Sequence, residues 1–277
     1  MTETDRSLML DSGEVRVAID KVWGTAIREI WLGDRNLVNN YDGGRLIGIS
    51  VYDSAQRGGS HPNDTGWNAT PSDWHDHPNP PIEHDFDGRT LYTKVRNLQW
   101  FPEGHGGGPD TSVDTDVIVE TWVDFLEDPR MVHVRYRLTH EGSDSHLLAP
   151  QEFPFAYGRT PFDRYVTYAG DTPWTGDAIT LDEDLPVFPE RGHLPASEHW
   201  GGLVDDRGIG VVVWAPQAYP SIGYHAFNNP GPAENAATYL LPTAFGPIDP
   251  GMTWQTEAFF LRLRGEVGSR FLVMMPG

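Results

Sequence analysis

Three side chains in this 277-residue sequence sit where proton transfer would be served best: Glu152, Glu120 and His75. Glu152 lies in P-Q-E-F-P-F-A-Y, between apolar neighbours that would strip water from its carboxyl group and tune it for general acid or base work. A plainer reading pairs it with an arginine such as Arg45, Arg135 or Arg159. Asp73, His133 and His225 are further polar candidates on loops or strands nearby. Two carboxylates about 5 Å apart would suit retaining glycosidic cleavage and a wider gap an inverting one. A sequence does not supply that distance.

Groups able to orient a ligand cluster in the stretch Leu37–Asp53, L-V-N-N-Y-D-G-G-R-L-I-G-I-S-V-Y-D. Gly43-Gly44 is expected to bend the chain through positive φ, presenting Asn40, Asp42 and Arg45 ahead of an apolar strand. Arg45 needs an anionic partner there, either a ligand or Asp42 across the turn. Trp67, Trp74 and Trp122 offer faces for stacking on sugar rings, and Asn68 and Gln151 offer amides for hydroxyls. The run His75-Asp76-His77 with Glu83 and His84 has donor types that suit a transition metal. Pro78, Pro80 and Pro81 interrupt it at once, so the two imidazoles are not held on one face of a strand, and no metal or other cofactor is assigned. G-H-G-G-G-P (Gly104–Pro109) lacks the Lys-Ser/Thr of a phosphate loop, and no G-x-S-x-G elbow is present.

Strands must carry these groups, because apolar residues recur with period two and no long stretch sustains a helical period. Val15, Val17 and Ile19 alternate with polar neighbours. So do Val117, Val119, Thr121, Val123 and Phe125, and Val132, Val134, Tyr136 and Leu138, with L-E-D-P-R as the hairpin turn between them. Those residues should meet the core. The opposite faces carry Glu120 and Trp122 on one strand and His133, Arg135 and Arg137 on the other, which suits a sugar surface or a solvated face of cross-strand ion pairs. Residues 55–89 read as one long irregular loop, of the kind that carries function. Residues 181–200 read as an acidic surface excursion, and R-F-L-V-M-M near the end as a closing strand.

The fold expected is all-β, a single-domain antiparallel β-sandwich over residues 1–277, since sandwiches often reach this size undivided. A formal charge of −20 disfavours nucleic acid and anionic membranes as partners. No cysteine is present, which removes disulfides, thiolate metal sites and a cysteine nucleophile. The opening M-T-E-T-D-R-S has no basic region followed by an apolar run, and no segment approaches a membrane span, so a cytoplasmic location is expected.

The segments W-G-T-A-I-R-E-I-W, N-L-V-N-N-Y-D-G-G-R-L-I, G-W-N with D-W-H, P-Q-E and Y-V-T-Y-A-G-D-T-P-W-T-G together resemble a group of bacterial β-sandwich proteins akin to the galactose-mutarotase-like carbohydrate-active superfamily. The resemblance spans most of the chain. It implies a supersandwich whose concave sheet face binds a sugar through an arginine and histidines, with a carboxylate as base, and by position Arg45 is similar to that arginine. The mutarotase histidine pair and glutamate find no residue-by-residue match. The reading that follows is a carbohydrate-active enzyme with glycoside hydrolysis favoured, because a chain of charge −20 suits the polyanionic substrate of a lyase poorly. Polysaccharide lyase, sugar epimerase and non-catalytic carbohydrate-binding module are the alternatives. The expected partner is a mono- or oligosaccharide or glycoside, and the sequence sets no oligomeric state.

Overall fold

The structure, a computed structural model, describes residues 1–53, 66–159, 162–173, 181–187, 192–206, 208, 210–215, 224–232, 236–242 and 244–263. The chain runs through β1 (Thr2–Glu3), β2 (Ser7–Asp11), β3 (Val15–Asp20), β4 (Ile27–Leu32), β5 (Arg35–Asn36), β6 (Ile47–Tyr52) and β7 (Asn68–Ala69). It continues with β8 (Glu83–Phe86), β9 (Leu91–Leu98), β10 (Asp114–Phe125), β11 (Met131–His140), β12 (His146–Arg159) and β13 (Arg164–Thr167). The remaining strands are β14 (Leu181–Asp184), β15 (Gly192–Leu194), β16 (Trp200–Val204), β17 (Gly210–Trp214), β18 (Tyr224–Asn229), β19 (Ala237–Pro242), β20 (Ala244–Ile248) and β21 (Thr253–Leu263). Among the described residues, no helix is long and apolar enough to cross a membrane.

Two antiparallel sheets result. One runs β1-β2-β3-β4-β6-β12-β19-β18-β15, with β5, β7 and β20 attached to β4, β6 and β12; the other runs β14-β13-β16-β17-β21-β11-β10-β9-β8. The β10/β11 register sets Val119 opposite Leu138 and Val123 opposite Val134, so the alternation expected from the sequence is realised pair by pair. At their turn the Asp128 carboxylate accepts from the Arg130 backbone N–H at 3.0 Å and the Asp128 carbonyl from Met131 N–H at 3.0 Å. An aspartate at a turn start closes it by this local bond. The inward residues Val117, Val119, Val123, Val132, Val134 and Leu138 pack in one core with Val17 and Ile19 of β3 and with Ile47, Ile49, Val51 and Phe153 of the first sheet. Two sheets joined by such a core form a β-sandwich.

Several elements differ from the sequence reading. Residues 54–65 lie outside the described residues, but the rest of the expected loop is not irregular throughout: Asn68–Ala69 pairs with β6 and Glu83–Phe86 with β9. These strands are too short for a periodic signal to stand out. The stretch 181–200 supplies β14 and β15, an edge strand for each sheet, rather than a plain surface excursion. The R-F-L-V-M-M segment lies outside the described residues.

The Gly43-Gly44 expectation is corrected. Neither glycine adopts a positive φ; the left-handed residue of that corner is Asn40, at φ 50°. The glycines are needed for close approach instead. A Cβ on Gly43 would stand 2.5 Å from Ser72 Oγ, and one on Gly44 2.4 Å from the Trp100 ring. Gly44→Ala is therefore expected to destabilise the protein by about 1–3 kcal/mol through overpacking, read as a lower midpoint in urea unfolding. An unchanged midpoint would show that Trp100 yields freely.

The turning point of the first sheet is β12. From Glu152 to Phe155 it advances three residues while its partner β6 advances two, from Ser50 to Gly48. This bulge breaks the alternation: Phe153 belongs to the inter-sheet core, whereas Phe155 belongs to a second cluster with Phe227, Tyr239 and Leu241. Bulges re-aim side chains in this way and recur beside functional sites.

Candidate functional site

Glu152 lies opposite Ser50, on the β6 face that Tyr52 shares and that Val51 and Ile49 turn away from. Tyr239 OH donates to its Oε1, and Tyr52 hydrogen-bonds to the same carboxylate. Burial pushes both phenols well above their ordinary range, and the negative charge of Glu152 pushes them further. They stay protonated and remain donors. Tyr157 packs beside Tyr239 with ring centroids 4.7 Å apart, and Phe227 stacks on Tyr239 at the same separation. The partly exposed Glu152 thus stands in an aromatic floor formed by strands β6, β12, β18 and β19. A carboxylate gripped by two phenols, beside ring faces, can hold a sugar and move a proton to or from its hydroxyls.

Glu120 is not brought to Glu152. It lies on the other sheet, on the face turned away from the core, where Arg137 grips both carboxylate oxygens at 2.6 and 2.5 Å and Tyr92 OH donates at 3.0 Å. The Arg137 hydrogen bonds hold its carboxyl below the ordinary glutamate value, which keeps it an ionised structural anion. Trp122 lies among Arg135 and Arg137, whose guanidinium carbons stand 6.0 and 5.4 Å from its ring centroid. Arg135 also reaches Asp124 at 3.3 Å. This is the ion-paired face weighed as the plainer alternative in the sequence.

His133 completes that lattice, with Nε2 2.9 Å from Glu257 and Nδ1 3.4 Å from Asp124. Burial alone would depress its pKa, but hydrogen bonds and charges from Asp124 and Glu257 outweigh burial and raise it. A raised imidazole contributes stability that is fully present below its unfolded value of about 6.5 and is lost as pH rises through the higher folded value. Between about pH 6 and about pH 8.5 the melting temperature of the wild type should therefore fall more than that of His133→Gln. Parallel pH dependence in the two proteins would refute the assignment.

His75 is engaged by Glu103, whose Oε1 stands 2.5 Å from its Nε2. Asp73 is fully buried and holds its own loop, accepting from the His75 and His77 backbone N–H groups at 3.1 and 3.0 Å and bonding His77 Nδ1 at 2.6 Å. Trp74 is 48% exposed and stacks on Phe101. Gln151 is fully buried, and its amide is taken up by the Tyr52 backbone N–H and carbonyl at 2.7 and 3.0 Å and the Gly246 carbonyl at 3.2 Å. It splices β6, β12 and β20, so the expectation that it meets ligand hydroxyls gives way to a structural role. Asn68 is also fully buried and caps Trp100 N–H at 2.5 Å. Trp67 stacks on His146, not on open space.

At the Leu37–Asp53 corner Asp42 and Arg45 form an ion pair at 3.5 Å, and Arg45 lies over the Tyr41 ring. Burial raises the Asp42 carboxyl, with the Arg45 charge opposing. Asn40 takes a bond from Arg159 at 3.3 Å. His225 lies on β18 opposite Leu241, the register position next but one to Phe227 opposite Tyr239. Sequence reasoning missed Tyr52, Tyr157 and Tyr239, which look like ordinary strand tyrosines. The signal available was their place in strands of otherwise apolar residues, where a phenol needs a partner.

Neither a protein-family model nor a curated protein sequence matches the chain. Solved structures do. A galactose mutarotase-like protein from Lactobacillus casei superposes with TM-score 0.56 at 10% identity, covering 92% of this chain and 99% of that one. A galactose mutarotase related enzyme from Lactobacillus acidophilus gives TM-score 0.56 at 10% identity over 94% and 99% of the two chains. The chain has a galactose-mutarotase-like fold. The mutarotase-like architecture also occurs within larger proteins: a GH36 α-galactosidase from Geobacillus stearothermophilus superposes with TM-score 0.51 at 12% identity, over 96% of this chain and 41% of that one. At these identities the likeness extends to fold alone.

Proposed function

We propose that this chain is a carbohydrate-active enzyme that interconverts the anomers of an aldose, with Glu152 as its general base. The observation that carries this reading is the Glu152 carboxylate held by Tyr52 and Tyr239 on an aromatic sheet face. Glycoside hydrolysis, favoured from the sequence, calls for two carboxylates flanking one bond. Among the described residues the candidate second carboxylate, Glu120, belongs to the other sheet and is bound by Arg137. Anomer exchange needs only one base and one acid. Glu152 takes the proton from the anomeric hydroxyl as the C1–ring oxygen bond breaks, and the ring oxygen gains a proton from an acid on the same face, leaving an open-chain aldehyde. Rotation about C1–C2 and reclosure by the reverse steps give the other anomer. Tyr157 is the candidate acid, by its packing against Tyr239. The mutarotase-like proteins that share the fold support a sugar as substrate.

Polarimetry on freshly dissolved single anomers of glucose, galactose and xylose tests this directly. Catalysed approach to equilibrium with at least one aldose is the expected result. Release of nitrophenol from aryl glycosides without anomer exchange would return the assignment to hydrolysis. Saturable sugar binding without either reaction would make the protein a binding module.

A further inference from the structure

The start of β10, the end of β11, the turn that follows and the start of β12 bring Asp116, His140, Asp144 and His146 together, with one donor atom from each lying within 4.8 Å of all the others. Both imidazoles are aimed by their second nitrogen. His140 Nδ1 lies 2.9 Å from the Asp249 carbonyl, an acceptor only, so Nδ1 carries the proton. His146 Nδ1 lies 3.3 Å from the Asp53 carboxylate and is held in the same way. In a neutral ring this leaves a lone pair on each Nε2. Both Nε2 atoms are buried without a hydrogen-bond partner, as is Asp116 Oδ1, although His140 and His146 are only 0% and 3% exposed.

His140 Nε2 stands 3.1 Å from Asp116 Oδ2 but is not aligned for a hydrogen bond. At that distance the electron-rich nitrogen of a neutral ring and a carboxylate oxygen repel unless a positive charge lies between or beside them. Gly142 presses the turn over the same spot: a Cβ there would stand 1.9 Å from Asp116 Oδ2 and 2.5 Å from His140 Nε2. On the other side an open cavity of about 490 Å³, bordered by Trp67, Arg96, Asp114, Asp116 and Asp144, gives a path from solvent.

We propose that Asp116, His140, Asp144 and His146 bind a divalent transition-metal ion of the zinc class. Two imidazole nitrogens with two carboxylates match that class, whereas calcium and magnesium favour all-oxygen sets. Bonds of about 2.0–2.2 Å place donors roughly 3.3–3.6 Å apart in a tetrahedron. The His140–Asp144 and His146–Asp144 separations are 4.0 and 3.8 Å, and Asp144, the exposed member on the turn, is the one able to close them. Nδ1 bonds to a backbone carbonyl and a carboxylate are the outer support that metal-bound histidines use. The ion would clamp β11 of one sheet to β12 of the other. It shares no ligand with the Glu152 cluster.

The test is titration of chelator-stripped full-length protein with Co²⁺ and then Zn²⁺. The expected result is one Co²⁺ per chain with a visible absorption band of nitrogen and oxygen ligation, displacement by Zn²⁺, and quenching of tryptophan emission, because Trp67 stacks on His146 with centroids 3.5 Å apart. Zn²⁺ should also raise the melting temperature, since it binds the folded state. Asp144→Asn, at an exposed position, should weaken Zn²⁺ binding by on the order of 10- to 100-fold, and His146→Ala should remove the Co²⁺ band. If His146→Ala does not fold, Asp144→Asn still decides. Absence of the band and of the thermal shift, binding unchanged in Asp144→Asn, or binding lost in His75→Ala would each overturn the site.

Discussion

Glu152→Gln is expected to lower the rate of anomer exchange by about 10²- to 10⁴-fold, the range spanned by removal of a positioned general base. The amide has nearly the shape of the carboxylate, so the surrounding rings keep their packing. What it loses is the capacity to accept a proton. Its NH₂ group must also face two phenols that now donate to Glu152, and one of them can turn to accept instead, since a phenolic oxygen does both. The melting temperature should therefore move little while turnover collapses. Stopped-flow polarimetry and thermal unfolding, run on the same preparation, separate the two quantities. Full activity in the variant would remove Glu152 from the mechanism, and a joint loss of activity and fold would make it structural.

The neighbouring residue should behave in the opposite manner. Phe153 is 1% exposed, belongs to the inter-sheet core and stacks on Trp254 with centroids 5.1 Å apart. Phe153→Ala removes most of that buried ring and leaves a cavity between two sheets that relax only partly, so a loss of about 3–5 kcal/mol is expected. Against a total of about 5–15 kcal/mol for a native protein this is a large fraction. Equilibrium urea unfolding should show a much lower midpoint with little change in slope, while enzyme kept folded at low temperature retains turnover. A loss below about 1 kcal/mol would mean that Trp254 and its neighbours close the space. One backbone step thus separates the residue proposed for chemistry from one that packs the core, because successive strand residues face opposite sides.

How much of this was legible beforehand follows from the range of each physical cause. The strand pattern of β10 and β11 depends on period-two alternation within a dozen residues, and the sequence carries it in full: Val117, Val119, Val123, Val132, Val134 and Leu138 all reached the core. The all-β class and the sandwich were contained in that patterning, and so was the setting of Glu152 as a carboxylate among apolar neighbours. The company Glu152 keeps was not. Tyr239 lies 87 residues away, and the bulge that sends Phe153 and Phe155 to different faces depends on pairing with β6, so alternation counted along the chain assigns those faces wrongly. Glu120 was indistinguishable from Glu152 in type, and only sheet order places it on the far side of the sandwich beside Arg137. H-E-G-S-D-S-H at 140–146 was open to reading as a ligand spacing. The buried Nε2 atoms and the arrival of Asp116 from another strand are tertiary facts. Local periodicity therefore determined which segments are strands and which faces are apolar. The meeting of distant polar groups was decided by register, bulges and sheet order, which arise only when the strands pair.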